Sequence, residues 1–145
     1  MSIDWQALGL NTTQGHLTTP ELVEAAVIFV CGSSLAVRDN RCRACLCRRL
    51  KHVTLSTLQR KQLLDCILRR LHEGVIYEQS IDQFRLALHL DPLAARHSAE
   101  GLLNADKAYM RRFGARALRC GPLAVATAQV AENGVNSTAL PASRN

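Results

Sequence analysis

Between residues 18 and 121 the chain carries a series of amphipathic segments, several of which begin at a helix-capping residue. Thr18 and Glu21 have the spacing of a capping box, and Ser56 and Gln59 repeat it. No run of alternating apolar and polar residues predicts a strand. Aromatic residues make up 4% of the chain, so Leu, Ile, Val and Ala must form the core. The sequence therefore predicts an all-α fold, a compact bundle of five or six short helices.

Caps, stops and apolar stripes place the predicted helices near residues 18–32, 41–53, 56–74, 77–91, 91–104 and 106–121. Asp39-Asn40 is the predicted cap of the second helix, and Asp106 that of the last. The apolar residues expected to face the core in the third and fourth helices are Leu64, Ile67, Leu68, Leu71, Tyr77, Ile81, Phe84 and Leu88. The predicted organisation is an N-terminal arm over 1–17, a helical domain over 18–121 and a disordered, flexible tail over 122–145.

Positive charge is concentrated in two regions of this chain, whose formal net charge is +6. Ten of the 18 Lys and Arg residues lie within 38–70, where Asp39 and Asp65 are the only acids. Such a concentration favours phosphate backbones or acidic protein surfaces as partners. The candidate binding residues are Arg38, Arg41, Arg43, Arg48, Arg49, Lys51, Arg60, Lys61, Arg69 and Arg70 of the first region, and Arg111, Arg112, Arg116 and Arg119 of the second.

Three cysteines lie within the first basic region. Cys42 and Cys45 have the spacing of half a structural zinc site, for which Cys31, Cys47 and His52 are the further candidate ligands. The other interpretation is a helix on which Cys42 and Cys45 share the core face, with Cys47 about 200° around from Cys45. No second CxxC pair and no HxxxH motif completes a zinc site, so the helix is preferred and no cofactor is predicted.

Residues of the middle segment have the spacing of a known helical repeat. Ser80, Phe84, Ala87 and Pro92 match the second half of a tetratricopeptide repeat, and the segment resembles one such unit over about 34 residues. No second copy follows. The resemblance implies an antiparallel helix pair of the kind used in protein–protein interaction.

The sequence also bears on localisation. Residues 1–10 lack a basic segment followed by an apolar run, so no secretory signal is predicted. The longest apolar stretch, 25–37, is shorter than the ~20 residues of a membrane-spanning helix. The chain is therefore expected inside the cell, in the cytoplasm or the nucleus or nucleoid, away from membranes and with reduced thiols.

Two functional interpretations remain. No carboxylate pair, Gly-rich phosphate loop or nucleophile motif indicates an enzyme. The first interpretation is a small basic, non-enzymatic regulatory protein that binds nucleic acid mainly through the phosphate backbone. The alternative is a helical adaptor or inhibitor that docks its tetratricopeptide-like helix pair on an acidic protein surface.

Overall fold

The computed structural model describes residues 16–34 and 36–121, which form six α-helices and no strand. The helices are α1 (Pro20–Cys31), α2 (Val37–Leu50), α3 (Thr57–His72), α4 (Ser80–Leu90), α5 (Pro92–Leu102) and α6 (Ala108–Leu118). The predicted all-α fold is thereby confirmed. Most of the predicted arm and the whole of the predicted tail lie outside the described residues. None of the helices in the described part is both long and apolar enough to span a bilayer.

Side-chain caps fix two of the predicted helix starts. Ser56 Oγ accepts from the backbone N–H of Gln59 at 3.2 Å, and Gln59 Oε1 accepts from the backbone N–H of Ser56 at 3.0 Å. Asp91 ends α4 and caps α5, because its carboxylate accepts from the N–H of Ala94 at 3.0 Å. Both caps satisfy N–H groups that a helix leaves without an internal partner, and the cap of Ser56 with Gln59 is reciprocal.

Three other helices begin away from their predicted caps. The α1 cap is Thr19, whose hydroxyl accepts from the N–H of Leu22, and not Thr18. Helix α2 begins at Val37, so Asp39 lies inside its first turn, where a carboxylate interacts favourably with the positive end of the helix dipole. Helix α6 likewise follows Lys107, without a side-chain cap.

The stop predicted for α3 is a Schellman motif. Gly74 has a φ of 77°, a backbone conformation that glycine adopts without steric cost. Its N–H bonds to the carbonyl of Leu71 at 3.1 Å, and the N–H of Val75 bonds to the carbonyl of Arg70 at 2.9 Å. Tyr109 of α6 donates its hydroxyl to the carbonyl of Gly74 at 2.8 Å, which ties the end of α3 to α6.

The core is largely aliphatic, and all six helices contribute to it. Phe84 of α4 is fully buried and meets Phe113 of α6 edge-on, with ring centroids 6.3 Å apart. In α3 the predicted Leu64 and Leu68 are half-buried, and Leu63 joins Ile67 and Leu71 in the interior. The α3 face is therefore rotated slightly from the predicted stripe.

Helices α3 and α4 run antiparallel. Near the start of α3, Arg60 donates to the carbonyl of Leu90 at the end of α4, at 2.9 Å. Near the end of α3, Arg70 donates to Gln83 Oε1 near the start of α4, at 3.3 Å. Helix α2 packs on α1 and α4, α5 packs on α3 and α4, and α6 packs mainly on α5. The predicted helix pair thus forms the centre of the bundle.

The contact between α5 and α6 gives a paired test of packing. A Cβ at Gly114 would lie 2.8 Å from the carbonyl oxygen of Ala99 and 2.9 Å from Leu102 Cβ, whereas a Cβ at Gly101 meets nothing within 4 Å. Gly114→Ala is expected to lower the free energy of unfolding by about 1–3 kcal/mol, because the helices must separate. Gly101→Ala is expected to raise it by about 0.5–1 kcal/mol because alanine has less conformational freedom than glycine in the unfolded chain. Urea unfolding measures both, and effects of the same sign would contradict this packing.

Candidate functional site

The solvent-facing side of α2 carries a row of arginines. Arg38, Arg41 and Arg48 are exposed, and helical periodicity places them within about 80° of one another. Along the helix axis they extend over about 15 Å. We call these three residues the α2 stripe. Arg48 forms an ion pair with Asp82 of α4 at 2.8 Å while its side chain stays 55% exposed, so its guanidinium remains open to solvent.

A second row lies at the other end of the described chain. Arg112, Arg116 and Arg119 are exposed and lie within about 60° on α6 and at its end, as their spacing predicts. We call them the α6 stripe. No ion pair among the described residues involves them. The neighbouring Arg111 instead donates to the carbonyls of Ala105 and Asp106, so it braces the connection between α5 and α6.

The other basic residues predicted in 38–70 do not extend the α2 stripe. Arg60, Lys61 and Arg69 are exposed on α3, whereas Arg49 and Lys51 are half-buried at the end of α2. Arg60 also donates to a backbone carbonyl of α4, as described above. Arg60, Lys61 and Arg69 do not share one face of α3, so they form no third row.

Arg43, predicted to bind a partner, lies in the interior. It is 2% exposed, and it donates through Nη1 to Asn40 Oδ1 and through Nη2 to the carbonyl of Gly32, both at 2.9 Å. Its guanidinium also lies 5.8 Å from the centroid of the Phe29 ring, within cation–π range. Burial, with the nearby positive charge of Arg70, lowers the pKa of Arg43. Arg43 is thus a buried tie between α1 and α2 and is removed from the predicted binding surface.

Arg70 reinforces the same junction from α3. It is half-buried, and it donates through Nη2 to the carbonyl of Gly32 and through Nη1 to Gln83. Gly32 follows the last residue of α1, a helix with no basic residue in its last turn. The two guanidinium groups therefore supply, from α2 and α3, the positive charge that the negative end of a helix dipole favours.

Two thiols lie beside this junction. Cys31 Sγ, which is half-exposed, lies 3.0 Å from the buried Cys66 Sγ. The hydrogen bond between the two thiols and the charges of Arg70, Arg69 and Arg43 lower the pKa of Cys31, against the opposing effect of burial. The same hydrogen bond, together with burial, raises the pKa of Cys66. We call Cys31, Cys66, Arg43, Arg69 and Arg70 the arginine–thiol cluster.

The cysteines of α2 face differently from the prediction. Cys47 is fully buried between the core residues Leu46 and Leu50, whereas Cys42 and Cys45 are half-exposed. Burial raises the pKa of Cys47. The prediction that Cys42 and Cys45 share the core face holds for Cys42, which is half-buried and packs against the core, and fails for Cys45, because the inward face of α2 is set by its leucines.

The structure does not assemble the candidate zinc ligands. Within residues 16–34 and 36–121, no group of three or more His, Cys, Asp or Glu side chains is placed to hold a metal ion. The five residues considered for zinc were Cys31, Cys42, Cys45, Cys47 and His52. Of these, Cys47 lies in the core and Cys31 faces Cys66 of α3.

Comparisons of the chain with protein-family models, curated proteins and solved structures found no match. Function is therefore inferred from three features of the molecule: the α2 stripe, the α6 stripe and the arginine–thiol cluster.

The cluster includes relationships that the sequence did not reveal. The contact between Cys31 and Cys66 joins helices that lie far apart in the sequence. The burial of Arg43 has a sequence signal, because Arg43, Cys47 and Leu50 occur at i, i+4 and i+7 and so share one helix face. An arginine on the same helix face as core residues indicates that its guanidinium donates to a buried hydrogen-bond acceptor, although periodicity does not identify that acceptor.

Burial of Arg43 predicts that neighbouring arginines of α2 differ in their effect on stability. Arg43→Ala is expected to lower the free energy of unfolding by about 2–4 kcal/mol, because it removes two charge-assisted hydrogen bonds and leaves the Asn40 oxygen without one of its donors. Arg41→Ala, on the exposed face, is the matched control and is expected to change it by less than about 0.5 kcal/mol. Denaturant unfolding measures both, and equal costs would contradict the assigned orientation of α2.

Because the structure does not bring the candidate zinc ligands together, we predict that folding does not depend on zinc. The purified chain is expected to contain no stoichiometric zinc, and a chelator is expected to leave its Tm unchanged. Metal analysis and thermal unfolding with and without chelator measure this. One zinc per chain, lost together with the fold on chelation, would require a site formed by Cys42, Cys45 and further ligands.

Proposed function

We propose that this chain is a small basic regulatory protein, without enzymatic activity, that binds nucleic acid mainly through the phosphate backbone. The α2 stripe is its primary contact surface. The observation that carries the proposal is the exposure of Arg38, Arg41 and Arg48 on one face of one helix. Among the described residues, Arg48 is the one member of the stripe in an ion pair, and its partner Asp82 is shared with Arg85.

The chemistry of the stripe suits phosphate. A guanidinium group is planar, remains charged and presents a fork of donors that matches two phosphate oxygens. The stripe extends over about 15 Å of helix. Each DNA strand carries a phosphate about every 3.4 Å along the duplex axis, so the three arginines can contact separate phosphates.

The same surface favours weak sequence preference. Base edges are read by Arg, which pairs with guanine, as well as by Asn and Gln, which pair with adenine, and Asn40, the Asn of α2, is buried against Arg43. No aromatic residue lies in α2 to stack on an unpaired base. Because the stripe consists of arginines, direct readout by its residues is limited to guanine, and its contacts serve mainly to position the protein on a backbone.

The α6 stripe supplies a second region of positive charge. Helix α6 packs mainly on α5, whereas α2 packs on α1 and α4, so the two stripes belong to different parts of the bundle. We assign the α6 stripe an auxiliary role. It raises the local concentration of polyanion through longer-range attraction, which salt screens within about 10 Å.

A second candidate function is docking on an acidic protein surface. One observation favours it: Val37, at the start of α2, is 64% exposed next to Arg38. An apolar side chain beside arginines is typical of protein interfaces, which are enriched in arginine and bury apolar groups at their centre. Val37→Ser separates the two functions, because it weakens docking to a protein and leaves phosphate contacts in place.

The nucleic-acid proposal predicts a specific salt dependence. The variant Arg38→Gln/Arg41→Gln/Arg48→Gln is expected to bind duplex DNA and RNA more weakly, by a similar factor for unrelated sequences. The slope of log K against log salt is expected to become shallower by about 0.9 for each duplex phosphate that the variant no longer neutralises. Mobility-shift titrations at several salt concentrations measure both quantities.

A charge-matched control separates the stripe from net charge. Lys61→Gln/Arg96→Gln/Lys107→Gln removes the same charge from residues outside both stripes. Circular dichroism confirms that both variants fold. Equal weakening by the two variants would show attraction by net charge alone, and no binding by the unaltered chain at low salt would refute the proposal.

A further inference from the structure

The two thiols of the arginine–thiol cluster come from different helices and have different access to solvent. Cys31 is the last residue of α1, and Cys66 lies in the middle of α3. Their sulfurs are 3.0 Å apart, whereas a disulfide bond is about 2.05 Å long. A movement of about 1 Å would therefore join them. Cys31 is half-exposed, so a small reagent reaches it, whereas Cys66 is buried behind it.

The surroundings favour the ionised form of Cys31. A thiolate at a helix C-terminus meets the negative end of the dipole, which is unfavourable. Here the S–H of Cys66 can donate to the sulfur, and three arginines of α2 and α3 supply positive charge: Arg70, Arg69 and Arg43. Low thiol pKa, partial exposure and a second thiol within reach are the features of redox-sensitive cysteines.

We propose that Cys31 is a peroxide-reactive thiol and Cys66 its resolving thiol, which together form a reversible intramolecular disulfide. This goes beyond the proposed nucleic-acid binding and does not depend on it. The co-reactant is a small hydroperoxide such as hydrogen peroxide, which can approach the exposed side of Cys31.

The reaction balances in two steps. The Cys31 thiolate attacks one peroxide oxygen, so that an S–O bond forms, the O–O bond breaks and the departing hydroxide takes a proton to become water. The Cys66 sulfur then attacks Cys31 Sγ, so that the S–S bond forms and the S–O bond breaks. The hydroxide that leaves takes the Cys66 proton and becomes a second water. The two thiols are oxidised by two electrons, and the peroxide is reduced to two water molecules.

The disulfide would change the junction at Gly32. It would tie the end of α1 covalently to α3 and remove the negative charge beside Arg43 and Arg70. The cross-link closes the loop between residues 31 and 66, which restricts the unfolded chain and is expected to raise the Tm. Because Arg43 belongs to α2, the oxidised cluster lies next to the helix that carries the α2 stripe.

Peptide mapping tests the proposal directly on the full chain. Trypsin leaves Cys31 as the sole cysteine of peptide 1–38 and Cys66 as the sole cysteine of peptide 62–69. After treatment of the folded, reduced chain with one equivalent of hydrogen peroxide and alkylation of free thiols, mass spectrometry is expected to find these two peptides linked. The linked species is expected to lack two hydrogen atoms and to separate on treatment with dithiothreitol.

Variants test which cysteine is the peroxide-reactive thiol and which is the resolving thiol. Cys66→Ser is expected to leave a sulfenic acid at Cys31 that reacts with dimedone, whereas Cys31→Ser is expected to lose both the linked peptide and this adduct. Arg69→Gln, on the surface of α3, is expected to slow alkylation of Cys31 several-fold by lowering its thiolate fraction. Cys45→Ser is the matched control and is expected to leave the 1–38/62–69 link unchanged.

Measurements on the unaltered chain keep the test decisive if a variant fails to fold. Absence of the 1–38/62–69 link while circular dichroism shows a folded chain would overturn the proposal. Preferential linkage through the peptides that contain Cys42, Cys45, Cys47 or Cys120 would overturn it as well. Formation of covalent dimers in place of the internal link would also overturn the proposal.

Discussion

The carbonyl oxygen of Gly32 accepts hydrogen bonds from Arg43 of α2 and Arg70 of α3, and it thereby fixes the end of α1 against both helices. A guanidinium is costly to bury, and neither arginine has a carboxylate partner among the described residues. The cost is offset by neutral oxygens and the Phe29 ring, and also by the negative end of the α1 dipole. Arginine suits this position because its planar fork can reach two acceptors at once. Lysine would present a compact charge without that geometry.

The orientation of α2 follows from this junction. Arg43 lies about 140° around the helix from Arg38 and from Arg48, so turning Arg43 inward directs the other two outward. The leucines at positions 46 and 50 are fully buried on the inward side and impose the same rotation. One helix therefore uses the same residue type in two ways. Arg43 holds the fold together, and the α2 stripe faces solvent. The position of Cys31 is a consequence as well, because it precedes Gly32 and so lies beside both guanidinium groups.

Local signals in the sequence predicted most of the architecture. Ser56 with Gln59 and Asp91 with Pro92 mark helix starts through short-range hydrogen bonds, and Gly74 marks a stop through its positive φ. These features depend on neighbours within a few residues, so a sequence shows them directly. The inward face of α2 is harder to predict, because it contains an arginine and cysteines in place of a run of leucines. Spacing alone places Cys42 and Cys45 on the inward face, whereas the fold buries Cys47 and keeps only Cys42 of the other two packed against the core. Which cysteine faces the core depends on what α1 and α4 present, and that information is not local.

Charge density alone therefore overstates the binding surface of such a chain. Basic residues concentrated in 38–70 suggested one broad surface, yet the fold assigns Arg43 and Arg70 to an internal junction. It also uses Arg60 to satisfy a helix end and pairs Arg48 with Asp82. Counterion release depends on the cations that meet phosphates, so the exposed arginines of the two stripes, and not the total of basic residues, bear on affinity for a polyanion. Arg43 and Arg70 hold α2 in the orientation that exposes the stripe. They also hold Cys31 in a positive environment next to Cys66, and that environment is the physical basis for the reactive thiol that we propose in a chain whose sequence shows no nucleophile motif.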